Sequence, residues 1–191
     1  MDENIVKKLV NKLMKSAQLV LTLAYLMAIA IGMLFNYQKY DAFEINIFDY
    51  ASIFDFLIAP FADFKIVAFT VLTLLLTYLL FKGDVYWKEN FPSSYSKSSF
   101  NLERYSWYRK IKGALFFVIF IWYLTMVSQY YGKISYQNTL TQDNVKVYYI
   151  NGDKVEGILI GKTSDTLFLF IGEKGVFVVP IAANLQGILI K

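Results

Sequence analysis

Few residues in this chain have the type and spacing to do chemistry, and they fall into four groups. Gly157, Gly161, Lys162 and Thr163, in the run GILIGKT, hold the ingredients of a phosphate cradle, in which glycine amides wrap a phosphate and a lysine and hydroxyl complete it. That cradle needs four residues between its glycines and a helix after Lys-Thr. Here three intervene and strand-like sequence follows, so the segment is expected to be a hairpin turn. Asp49, Asp55 and Asp63 offer carboxylates for a cation or for acid–base work, but their spacing matches no calcium loop, and a solvated polar face is the expectation. Thr70, Thr73 and Thr77 form a stripe on one helix face, suited to lining a pore or to helix packing through i−4 carbonyls and neighbouring helices. Trp87, Tyr105, Trp107 and Tyr108 are interleaved with cations that include Arg109 and Lys110. Such a row could form an aromatic belt at the headgroup level, dock a protein partner, or stack on single-stranded nucleic acid, the last being the least favoured.

Composition removes most other chemistry. The 191 residues include no His and no Cys, so no Ser-His-Asp or Cys-His pair, zinc-thiolate site, disulfide or haem histidine can be built. The chain is expected to be non-enzymatic, with no cofactor and no metal. Its 57% hydrophobic content, 18% charged content and mean hydropathy of +0.42 point to a solvent that is partly lipid.

Apolar runs supply the elements that must carry these groups. Residues 16–38 and 113–132 are free of charge and long enough to cross a hydrocarbon core of ~30 Å. A third run, 66–81, is short for that purpose, and the span is expected to cover 60–81, starting near Pro60 with Lys65 snorkelling outward. Ala28-Ile29-Ala30 imitates a signal cleavage site, but the apolar run continues through Phe35, so 16–38 is taken as an uncleaved span. Residues 1–15 form a basic amphipathic surface helix whose Lys7, Lys8, Lys12 and Lys15 would rest on anionic lipid. Residues 39–59 hold an acidic, interfacial or re-entrant helix stopped at Pro60, and 82–112 a basic, aromatic loop. The fold class is therefore an α-helical integral membrane protein of three transmembrane helices with interfacial helices and a small C-terminal all-β barrel.

Lysine and arginine set the expected orientation. Four lie in 1–16 and seven in 82–112, against Lys39 alone in 37–59. The N-terminus and the 82–112 loop should thus be cytoplasmic and the C-terminal domain outside, in a bacterial inner membrane. A fourth span through 43–61 would reverse the last placement and put the most basic loop outside.

After Gly132 the period changes. VKVYYI, KVEGILIG, TLFLFI, VFVVPI and QGILI alternate with turns at Asn151-Gly152-Asp153, Lys162 to Asp165 and Gly172 to Gly175, which makes five strands within 133–191. Gly157 would bend the second strand, and Pro180 must sit at a sheet edge or strand end. The pattern V-x-V-x-x-x-N-G-x-x-V-x-G-x-L from Val145 to Leu159, then TLFLF and VFVVP-x6-GI, resembles the Sm-like (SH3-type) barrel of bacterial membrane proteins. The resemblance implies rings or dimers formed through strand edges, hence a homo-oligomer. In RNA-binding members an Asp-x-x-x-Asn segment and an Arg-Gly pair hold a base. Here Asp165 is followed by Leu169, and Pro180-Ile181 stands where Arg-Gly belongs, so RNA binding is not carried over.

Three spans before such a barrel also resemble the small-conductance mechanosensitive channels. Those keep a Gly/Ala-rich helix beside a cytoplasmic barrel, whereas GALFFVIFIWYLTMVSQYY is dense in aromatics. The layout also resembles small membrane subunits of bacterial antiphage systems such as Kiwa. The expected function is that of an oligomeric membrane subunit, an envelope sensor or scaffold, that recruits a cytoplasmic protein through 82–112, with a mechanosensitive-type ion channel as the alternative.

Overall fold

The computed structural model describes residues 17–100, 102, 105–150, 152–181 and 185–189. The helix expected over 1–15, with Lys7, Lys8, Lys12 and Lys15, lies outside them. Helix α1 (Ala17–Asp41) leads through a 3-10 turn (Ile47–Asp49) to α2 (Ile53–Ala62). Then follow α3 (Phe64–Asn90), α4 (Pro92–Ser98), α5 (Ser106–Leu140) and strands β1 (Asn144–Tyr149), β2 (Lys154–Lys162), β3 (Thr166–Phe170), β4 (Val176–Pro180) and β5 (Leu185–Leu189). Helices α1, α3 and α5 are each long and apolar enough to cross a membrane. Two compact units are present. One comprises the described residues through Leu26 with Val67–Val127, the other Met27–Ile66 with the described residues from Ser128 onward.

The second long helix starts later than hydropathy suggests. Pro60 does not open it. It sits inside α2, which begins with a capping box: Ser52 Oγ accepts from Asp55 N at 3.3 Å, and Asp55 Oδ2 accepts from Ser52 N at 2.8 Å. The chain leaves helical geometry at Asp63 (φ −123°, ψ 102°), and α3 then restarts with Asp63 Oδ1 accepting from Lys65 N at 2.9 Å. Pro60 has no N–H to give to the Phe56 carbonyl four residues back. The backbone of α1 covers that carbonyl at Gly32, where a Cβ would collide with Phe56 O. A proline and a glycine, distant in sequence, thus share one close helix crossing.

The sheet is antiparallel throughout, in the order β4-β3-β2-β1-β5. The first half of β2 pairs with β1 (Lys154↔Tyr148 to Ile158↔Asn144) and the second half with β3 (Ile158↔Phe170 to Lys162↔Leu167), so one strand serves two neighbours. Its irregularity falls between Leu159 and Gly161, beyond Gly157. Pro180 ends β4, an outer strand, as a residue without an N–H must. The near-continuous apolar run of β3 is explained by burial on both faces. Leu167 and Leu169 join Val145, Val147 and Val179 on one side, while Phe168 joins Tyr40, Phe43, Ile45, Ile47, Phe56 and Ile160 on the other.

Candidate functional site

Two constellations of polar residues stand out, one in each unit. In the first, the charged tail of α3 meets the start of α5. Asp84 forms an ion pair with Lys112, and Lys112 also donates to the Tyr95 hydroxyl, which in turn donates to Asp84 Oδ1 at 3.3 Å. Tyr95 is 4% exposed, and Trp87 meets its ring edge-on at 5.5 Å. Burial pushes the Tyr95 phenol up and the Lys112 ammonium pulls it back, with a net rise that keeps it protonated at neutral pH. Three side chains from α3, α4 and α5 therefore tie the short helix α4, which has Pro92 at its first turn and no side-chain cap, to its two long neighbours.

Around this tie the aromatic row stays in the open. Trp87 is 40%, Tyr105 57% and Trp107 49% exposed, with Tyr105 and Trp107 stacked at 6.2 Å and Tyr108 edge-on to Trp107. Arg109 and Lys110 lie in the first turns of α5, with their side chains outside the described set. Of the threonine stripe, Thr73 is fully buried and donates to the Phe69 carbonyl at 2.8 Å, and Thr77 donates to the Thr73 carbonyl at 2.9 Å. Thr70 is partly buried on the same helix.

In the second unit a cavity of about 790 Å³ is lined by residues of α1, α2, the start of α3, α5 and the β2–β3 turn. Lys39, Asp55, Asp63, Tyr131, Lys162 and Ser164 supply its polar wall, and Ile58, Ala62 and Ile66 part of its apolar wall. Both carboxylates are held by protein donors. Asp55 accepts from Ser52 N and Ser52 Oγ at 2.8 Å, from Ser164 N at 2.9 Å and from Ser164 Oγ at 3.1 Å. Asp63 accepts from Lys65 N at 2.9 Å and from Tyr131 Oη at 2.8 Å. Partial burial pushes the Asp55 carboxyl up, but the serine hydrogen bonds outweigh it and hold the group below its ordinary value. Gly161 makes room here: a Cβ would collide with the Tyr40 hydroxyl and lie 3.3 Å from Lys39 Nζ. Lys39 Nζ sits 5.2 Å from the Tyr40 ring centroid.

This cavity draws two of the three acids into one wall, while Asp49 lines a separate groove of about 610 Å³ beside β4. Among the described residues no three acids converge as metal ligands. Lys162, Thr163 and Ser164 belong to a hairpin turn, closed by Thr163 N donating to Thr166 O at 2.8 Å. Their meeting with Lys39 and Asp63 has no local signature, because the links span 68 residues from Asp63 to Tyr131 and 109 from Asp55 to Ser164. The isolated lysine of an otherwise acidic loop was the one available signal, together with Gly161. No protein-family model matches the chain, and no curated protein does either.

Proposed function

We propose that the chain is a non-enzymatic subunit of a bacterial inner membrane, an oligomeric scaffold or envelope sensor that holds a cytoplasmic protein on residues 82–112. One observation carries this reading. Trp87, Tyr105 and Trp107 stay exposed on a segment that an internal Asp84–Lys112–Tyr95 tie fixes in place, as suits rigid aromatic anchors prepared for a partner. Lysine and arginine counts favour a cytoplasmic side for that segment and an outside location for the sheet. The strand order leaves β4 and β5 as outer strands, whose edges would carry the self-association of an Sm-like domain.

The test uses the full-length chain, affinity-tagged in its native membrane. Trp107→Ala with Arg109→Ala should abolish recovery of one cytoplasmic protein while membrane insertion and oligomer size are unchanged. Unaltered recovery by the double variant sinks the reading, and tension-gated ion current from the purified protein in planar bilayers replaces it with the channel.

A further inference from the structure

We propose that the 790 Å³ cavity of the second unit seats an anionic phosphate group, supplied by a phospholipid whose acyl chains lie along α2. Six protein donors occupy the two carboxylates of the wall, two serine N–H and O–H pairs on Asp55 and Lys65 N with Tyr131 Oη on Asp63. Neither the Lys39 nor the Lys162 side chain makes a hydrogen bond or ion pair to a described residue, although both line the cavity. The unspent hydrogen-bonding capacity of the cavity is thus ammonium donors, although the Asp63 carboxylate lies close enough to Lys39 to act on its charge. Lys65 adds a third ammonium in the adjoining cavity of about 310 Å³, which shares Lys39, Asp63 and Tyr131. A phosphate diester offers several acceptor oxygens with a delocalised charge, and lysine ammoniums bind such a group as point charges.

Place and rim identify the carrier. Lys39 lies in the last turn of α1, a helix long enough to span a bilayer, where lysine side chains reach the headgroup level. Ile58 lines the cavity and is 58% exposed, and Ile53, Phe54 and Phe61 of the same short helix are also exposed. A pocket that offers ammonium donors beside an apolar rim at that depth suits an amphiphile, whose headgroup meets the polar wall and whose chains meet the exposed apolar side chains. The inference requires only that the three long helices cross a bilayer, and it is independent of any partner on residues 82–112.

The chain has no cysteine, so Ile58→Cys gives a single thiol at the cavity rim for a bimane label. In phosphatidylcholine nanodiscs doped with a tenth of brominated-tail lipid, phosphatidylglycerol should quench the label at least threefold more than phosphatidylcholine does. The preference should vanish in Lys39→Gln with Lys162→Gln and survive in Lys39→Arg with Lys162→Arg. Inorganic phosphate added to pure phosphatidylcholine discs separates the sources: a change in emission that saturates assigns the seat to a soluble phosphate, and none leaves the lipid. Equal quenching by the two lipids together with no response to phosphate overturns the proposal, as does a preference that persists in the glutamine variant. Should that variant fail to fold, the lipid comparison on the parent chain decides alone.

Discussion

Asp55 does two jobs with one carboxylate. It completes the capping box of α2 and accepts both donors of Ser164 from the β2–β3 turn, so a single side chain joins a helix start to a sheet corner within one unit. Its folded-state pKa is held below the unfolded value of about 3.9, so the contact stabilises above that pH and is lost as pH falls through the lower folded-state value. Asp55→Ala should cost about 1–2 kcal/mol at pH 7, the range of a lost cap with a charge-assisted hydrogen bond. Asp55→Asn keeps the shape but presents an amide N–H₂ to serine donors. The difference in melting temperature between wild type and Asp55→Asn, followed in detergent by circular dichroism, should be large at pH 7 and shrink as pH falls below the ordinary carboxylate value of about 3.9. A gap that stays constant with pH would mean that the carboxylate's charge contributes nothing.

At the scale of elements, the Asp84–Lys112 pair decides whether α4 stays packed. The two side chains are 22% and 23% exposed, between a surface pair and a buried one. Lys112→Gln should therefore cost about 2 kcal/mol, above the 0–1 kcal/mol of exposed pairs and below the 3–5 kcal/mol of breaking a fully buried pair. Adding Asp84→Asn should recover at least half of it, because the stranded carboxylate is then gone. Thermal melts of the single and double variants check this, and equal losses would remove the pair from any positioning role. This tie was not legible in the sequence, where Asp84 and Lys112 bracket a stretch that reads as loop and Tyr95 reads as one aromatic among eight. The strands, by contrast, were legible almost residue by residue, since alternation and Gly-containing turns are local signals. The start of α3 was misplaced because Pro60 is an ambiguous mark. A short helix tolerates it where a neighbouring backbone, here at Gly32, can approach the carbonyl it leaves without a donor.

At the scale of the whole molecule, helix lengths limit how often the chain can cross a bilayer. Helix α2 has 10 residues, or about 15 Å at 1.5 Å per residue, half of what a crossing needs. With α1, α3 and α5 as the proposed crossings, the 39–65 segment and the sheet would fall on one side. That matches their membership of a single unit and the hydrogen bonds from Ser164 to Asp55. In the proposed orientation, which rests on the cation count, the other side, with 82–112, is the cytoplasmic one. Single cysteines at exposed Asp41, Ser93 and Lys174 read this out, because the chain supplies no thiol of its own. With a membrane-impermeant maleimide on intact cells, Asp41→Cys and Lys174→Cys should label and Ser93→Cys should label only after lysis. Agreement between Asp41 and Lys174 tests the number of crossings, and the contrast with Ser93 tests the direction. Label on Ser93 alone would turn the protein over, placing the sheet in the cytoplasm and moving the exposed aromatic row away from any cytoplasmic partner.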